Sequence, residues 1–202
     1  MTENPQAPHT AAPEVQPIAP GRGGVWLAAQ RLLELLAQLA GPPPERRALA
    51  ALRRSLSFPP GEDPAVYRWV EPITGSCNEF ERRVLYLVAG LFAFHPSRGD
   101  RSLAAACGEM RRDLEQRDAG SSFEQHFLAL LDADADQLSY RLRQMISLLR
   151  SDELGFDWAG LAQDLRRWGS VSKRVQQAWA RDFYRSPQAD QAEASTPSSE
   201  AL

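Results

Sequence analysis

The chain has almost no lysine: Lys173 stands alone among 23 basic residues, the rest being arginine. A coding bias explains that count by itself, but it leaves a surface of planar guanidinium groups, which suit phosphate contacts and stacking better than ammonium groups do. Cysteine is scarce too. Cys77 and Cys107 have no partner motif, which excludes a disulfide scaffold and points to reduced thiols in a cytoplasmic protein. Of three histidines, His9 falls in a proline-rich stretch, His95 precedes a proline and His126 sits inside a helical pattern. None has a histidine, cysteine or carboxylate at metal-ligand spacing, so no metal and no cofactor is expected. Glycine-rich phosphate loops, nucleophile elbows and activated-cysteine motifs are also missing, and nothing here calls for catalysis. No apolar run approaches the roughly 18 residues of a membrane span. The first 20 residues hold five prolines and no apolar core, unlike a signal peptide. The expectation is a soluble cytoplasmic protein with no membrane partner.

What is present is an uneven charge. The formal net charge is −3, which alone argues against a nucleic-acid binder, but its distribution matters more. Residues 21–60 and residues 161–185 each carry six basic and two acidic groups, whereas residues 121–160 carry three and seven. A basic face on an acidic protein is therefore possible.

Read in order, residues 1–20 are rich in Pro, Ala, Gln and Thr and are expected to be disordered. A dense apolar helix follows from Trp26 to Leu39 and stops at Gly41-Pro42-Pro43-Pro44. Glu45–Leu56 reads as a second helix with Leu49, Leu52 and Leu56 inward. Pro64–Glu71 reads as a short helix. Asn78 with Glu81 forms a capping signal for Glu79–Phe94, so apolar from Val84 onward that it must be buried on most sides. Asp100 is expected to cap Arg101–Arg117, and Ser121 with Glu124 a short helix through Leu131. Asp132, Asp134 and Asp136 imitate the start of a calcium loop. Gln137 stands where that loop needs glycine and Arg143 where it needs glutamate, so these aspartates are read as caps for Gln137–Arg150. Asp157–Trp168 and Val171–Arg185 complete the body. β-Branched residues are few and two-residue alternation is absent. The reading is all-α, a compact helical bundle of about eight or nine helices over residues 21–185, with a disordered acidic tail at 186–202.

The candidate chemistry lies in arginine rows beside apolar stripes. On the Gln137–Arg150 helix, Arg143 and Arg150 point the same way, off the stripe of Leu138, Leu142, Met145 and Leu149. On the last helix, Arg174, Arg181 and Arg185 fall within about 40° of one another at 100° per residue, beside an inward face of Val175, Trp179 and Phe183. On the second helix Arg46 and Arg53 share one direction, bordering the apolar stripe, and Arg47 and Arg54 another, facing outward. Rows of this kind can follow a phosphate backbone without reading bases. Of the aromatics, only Tyr184 is expected to point clearly outward, so stacking platforms of the single-strand type are not evident.

In order along residues 45–185, the stretches ALAALRRSL (48–56), LYLVAGLFAFHP (85–96), FLALLDAD (127–134), LRQMISLL (142–149), FDWAGLAQDLRRW (156–168) and VQQAWARDFY (175–184) together resemble the CasB family. That family is the small subunit of type I-E CRISPR Cascade complexes. The resemblance implies an all-helical, non-catalytic protein of which two copies stack head-to-tail along the inside of the complex. There it would contact the backbone and large protein subunits, with the CRISPR RNA and the target or displaced DNA strand as nucleic-acid partners. Carried over by motif, the phosphate-contacting residues are Arg53 and Arg54, Arg143, and Arg181; Arg150, Arg174 and Arg185 join them on geometry alone. One departure is His126, which stands where many members carry an arginine; an unperturbed histidine is mostly neutral at neutral pH. The competing reading is a helical protein–protein scaffold whose arginines pair with acidic partners and never touch nucleic acid. A helical nuclease would need clustered carboxylates or histidines, and no such set is present.

Overall fold

The computed structural model describes residues 24–75, 77–117 and 120–185, with the side chains of 120 and 121 left aside. The proline-rich extension and the acidic tail both lie outside the described residues. Nine α-helices account for most of what is described: α1 Gly24–Ala40, α2 Arg46–Ser55, α3 Tyr67–Thr74, α4 Glu79–Phe94, α5 Leu103–Glu115, α6 Gly120–Leu131, α7 Ala135–Ser151, α8 Trp158–Arg167 and α9 Arg174–Tyr184. A short 3-10 turn, Pro64–Val66, leads into α3. No strand forms among the described residues; one isolated parallel bridge joins Arg98 and Phe156.

The helix α4 is the axis. Every residue from Val84 to Ala93 is buried, as its uninterrupted apolar run requires. Helices α1, α2, α3, α8 and α7 all pack on it. A second group, α5, α6 and α9, packs together, and α7 touches α4, α5 and α6 and so joins the two groups. Trp158, Trp179, Phe92, Phe127, Phe156 and Phe183 are all fully buried, and burying a side chain of phenylalanine size stabilises by roughly 1.5–3 kcal/mol. The indoles bring polar N–H groups into this core, and each is satisfied. Trp158 donates to the Ser97 carbonyl at 2.9 Å, Trp168 to the Ala133 carbonyl at 3.0 Å and Trp179 to Asp164 Oδ2 at 2.7 Å.

Helix starts follow capping chemistry, with two corrections. Asn78 and Glu81 form the expected reciprocal box at 2.9 and 3.1 Å. Glu81 also accepts from Arg166 Nε at 3.0 Å, tying the start of α4 to the end of α8. Asp134 accepts from the Gln137 amide at 3.0 Å, so the aspartate cluster does begin α7. The expected Asp100 cap is wrong: Ser102 caps α5, accepting from the Ala105 amide at 3.1 Å. The reason is tertiary. Residues 98–101 run alongside 155–157, with Gly99 N–H donating to the Phe156 carbonyl at 3.1 Å and Asp157 N–H to the Arg101 carbonyl at 2.8 Å. A Cβ on Gly155 would meet Arg98 O at 2.3 Å, so this clamp closes only over glycine, and it holds the chain extended past Asp100. The second correction concerns α9, which begins at Arg174 and not Val171. Lys173 has φ of +46°, a left-handed conformation that no helix interior accepts. The Ser121–Glu124 cap lies outside the described side chains.

Helix α9 closes the second group. Its Phe183 ring stacks on Phe127 with centroids 3.9 Å apart. Ser102 Oγ donates to Asp182 at 2.6 Å. At Gly108 the helices α5 and α9 touch backbone to backbone, since a Cβ there would lie 2.6 Å from Phe183 O. Cys107 is fully buried beside this crossing and Cys77 is partly exposed; both are free thiols. Burial pushes the Cys107 thiol well above its ordinary range.

Candidate nucleic-acid interface

The structure brings two of the expected arginines together. Arg143 and Arg150 stand two turns apart on the exposed side of α7, and both reach over the ring of Phe94, the last residue of α4. Arg143 Cζ is 6.0 Å and Arg150 Cζ 4.9 Å from its centroid. A guanidinium held over an aromatic face gains about 0.5–1 kcal/mol at exposed sites and loses part of its rotamer freedom before any ligand arrives. Neither arginine pairs with a carboxylate among the described residues, so their N–H groups remain available. The sequence reading places Phe94 at the end of a buried helix and not at this site. Its signal is nonetheless there, as the last aromatic of an apolar run that ends at a His-Pro stop, where the core gives way to the surface.

The other candidates stand on other helices. Arg174 and Arg181 are exposed on α9, without an ion pair among the described residues. Arg185 is exposed just past that helix, and its carbonyl accepts from Arg112 Nη1 at 3.1 Å. Helix α9 packs on α5 and α6, not on α4, so this row is a feature separate from the Phe94 pair. On α2, Arg53 is exposed and makes no ion pair among the described residues, but Arg54 reaches Asp63 at 3.6 Å. Asp63 is 6% exposed, and its other oxygen accepts from the Ala65 amide in the turn before α3 at 3.0 Å. Arg54 therefore helps to neutralise a buried carboxylate, in addition to facing solvent.

Several arginines outside the candidate set are engaged with acids. Arg82 binds Glu71 at 2.6 Å, Arg83 pairs with Glu79, Arg101 with Glu109, Arg111 with Glu115 and Arg166 with Glu81. Arg111 also lies over the rings of Phe183 and Tyr184. Of the expected residues, Arg54 pairs with Asp63, whereas Arg53, Arg143, Arg150, Arg174 and Arg181 make no ion pair among the described residues.

The aromatic expectation needs correcting. Tyr184 is 47% exposed, but its hydroxyl donates to Glu124 at 2.5 Å and its ring meets Phe183 edge-on. That hydrogen bond, with smaller help from burial, raises the tyrosine above its ordinary pKa. Tyr140, on α7, is the more open ring at 64% exposed. The periodicity of α7 places it outward, but an aromatic residue beside an apolar stripe reads equally well as part of the core.

No set of three or more His, Cys, Asp or Glu side chains among the described residues could hold a metal, and no described helix is long and apolar enough to cross a membrane. A cleft of ≈ 580 Å³ lies between α1 and the start of α8 and is lined in part by Glu34, Arg98, Asp100 and Asp157. Asp157 is already committed there, capping α8 through the Ala159 amide at 2.9 Å.

Residues 48–184 match the family model described as CRISPR-associated protein Cse2. The chain is 42% identical over 158 residues to the CRISPR-associated protein Cse2 of Thermus thermophilus, covering 77% of this chain and 89% of that one. The crystal structure of CasB from Thermus thermophilus superposes with a TM-score of 0.66 at 41% identity, covering 77% of this chain and 97% of its own. A chain of a CRISPR RNA-guided surveillance complex superposes with a TM-score of 0.67 at 27% identity, covering 84% and 99%. The six stretches quoted above all fall inside the matched span, and the chain belongs to the CRISPR-associated Cse2 (CasB) family.

Proposed function

We propose that this chain is the non-catalytic small subunit of a type I-E Cascade complex and that it holds nucleic acid by its phosphate backbone, without sequence preference. The likeness to a chain of an RNA-guided surveillance complex supports the assembly. The observation that carries the binding is the pair of arginines over Phe94, fixed in position and free of carboxylates. In RNA-guided recognition base pairing reads the sequence, and the proteins around it supply backbone contacts. Arg143 and Arg150 form the primary contact on this reading. Arg53, Arg54, Arg174, Arg181 and Arg185 extend it along CRISPR RNA, the target strand or the displaced strand. Backbone and large Cascade subunits and a second copy of the chain are the protein partners, and the cytoplasm is the site of action.

The test has two arms. Co-expression with the neighbouring genes should recover several protein subunits and a uniform short RNA; a lone monomer without RNA-bearing partners would refute the assembly. Affinity for short DNA across a salt series reads the contacts. Counterion release sets a log–log slope of about −0.9 per phosphate on duplex and about −0.7 on single strands, so Arg143→Ala with Arg150→Ala should flatten the slope by roughly one to two units. Unchanged affinity and slope would leave the scaffold reading, in which the arginines meet acidic protein surfaces.

A further inference from the structure

The exposed edge of α7 carries more than its two arginines. Tyr140, Arg143, Ser147 and Arg150 follow one another at spacings of three and four residues, which puts them in one row on the helix surface, and all four are exposed. From Tyr140 to Arg150 the row is roughly 15 Å long at 1.5 Å per residue. Tyr140 is 64% exposed, and its hydroxyl makes no hydrogen bond among the described residues. The guanidinium of Arg141 lies over the ring, with Cζ 5.7 Å from its centroid. Arg141 is itself half-buried, and its Nε is shielded from solvent with no hydrogen-bond partner among the described residues. One side of the aromatic ring is thus packed by a half-buried neighbour. One turn towards the N-terminus the row ends at Asp136, an exposed acid that discourages phosphate beyond Tyr140.

We infer that Tyr140 is a base-stacking residue and that this row takes single-stranded nucleic acid, one unpaired base lying on the tyrosine while Arg143 and Arg150 hold the adjoining phosphates. A duplex has its bases stacked on one another and offers none to an exposed ring, whereas a single strand presents a π-face at every nucleotide. A stacking ring at one end of an arginine pair therefore makes the face selective for strand state without making it selective for sequence. The inference rests on the phosphate-binding role proposed above for Arg143 and Arg150.

The experiment uses the full chain, a thymidine oligonucleotide of about 12 nucleotides, a duplex of equal length, and the variants Tyr140→Ala, Tyr140→Phe and Arg143→Ala/Arg150→Ala. Alanine truncation at stacking residues costs about 5- to 150-fold in single-strand affinity, so Tyr140→Ala should weaken the oligonucleotide at least fivefold and leave the duplex within twofold. Tyr140→Phe, which keeps the ring, should restore binding. A 2-aminopurine placed in the oligonucleotide should be quenched on binding by the parent chain and the phenylalanine variant, and not by the alanine variant. If the double arginine variant weakens both ligands while Tyr140→Ala binds the single strand as the parent does, the stacking role is refuted and the phosphate role stands. If the arginine variant itself changes neither ligand, both fall. Equal losses on duplex and single strand for Tyr140→Ala would also overturn the selectivity.

Discussion

Gly108 gives a test in which local propensity and tertiary packing demand opposite signs. It sits inside α5, where replacing glycine by alanine ordinarily stabilises a helix by about 1 kcal/mol. At this position, however, the added Cβ would lie 2.6 Å from Phe183 O and 3.1 Å from Phe183 Cα. Both are backbone atoms of α9 and cannot swing aside as a side-chain tip would. Relief requires α9 to move bodily off α5, loosening the Phe183–Phe127 stack and the Ser102–Asp182 hydrogen bond. Overpacking of this kind costs roughly 1–3 kcal/mol, and the loosened stack and hydrogen bond add to it. Gly108→Ala should therefore destabilise the fold by about 1–2 kcal/mol net of propensity. At this chain size that lowers the melting temperature by about 2–8 °C. Gly169, with nothing within 4 Å of a Cβ, supplies the control, and Gly169→Ala should leave the midpoint unchanged. Thermal and urea unfolding followed by circular dichroism measure both. A Gly108→Ala protein as stable as the parent, or more so, would show that the crossing is not as close as described.

Two further predictions concern charge and capping. Burial raises the Asp164 carboxyl above its ordinary 3.8, while the Trp179 hydrogen bond and the charge of Arg167 pull it down. Because the folded value is the higher, the folded protein binds more protons in the window just above 3.8, and this group's contribution falls as pH rises through it. Asp164→Asn keeps an acceptor for the indole and removes the charge, so its stability relative to the parent should improve as pH rises above the ordinary carboxylate value of 3.8; a difference that does not vary with pH would refute the reasoning. Asn78→Ala removes the side-chain acceptor of the Glu81 amide in the α4 capping box, leaves the backbone N–H of residue 78 able to donate to Glu81, and should cost about 1 kcal/mol by urea titration. A loss under a few tenths would mean that the Glu81–Arg166 pair holds that end of α4 unaided.

The sequence is readable where the determinants are local. The unbroken apolar run of α4 could be buried in only one way, and Asn78 and Asp134 cap the helices their spacing announces. The failures share a cause. Asp100 and Ser102 are both competent caps two residues apart, and the choice between them is made by a backbone clamp to residues 155–157, more than fifty positions away. The start of α9 is set by the left-handed Lys173, in a turn where the Gln176 side chain reaches back to the Trp168 carbonyl at 2.9 Å. Among the site residues, the shared direction of Arg143 and Arg150 follows from helical geometry, but the ring beneath them belongs to another helix. The preference for Tyr184 over Tyr140 fails for the same reason, because only the fold shows that Glu124 engages one hydroxyl and nothing described engages the other. Arg54 looks equivalent to Arg53 until folding sets the buried Asp63 beside it.

The crossing of α5 and α9 also sets an order of events. Helix α9 is the last described element of the chain, yet its Phe183 completes an aromatic stack with Phe127 and its backbone lies on Gly108. During synthesis α5 and α6 emerge well before their covering helix exists, and domains form as units only when their contacts are available. Until residues near 184 have left the ribosome, that apolar groove has no native occupant. Maturation of this half of the protein is therefore timed by its far end, and a ribosome that stalls after α8 releases a nascent chain that is adhesive and incomplete.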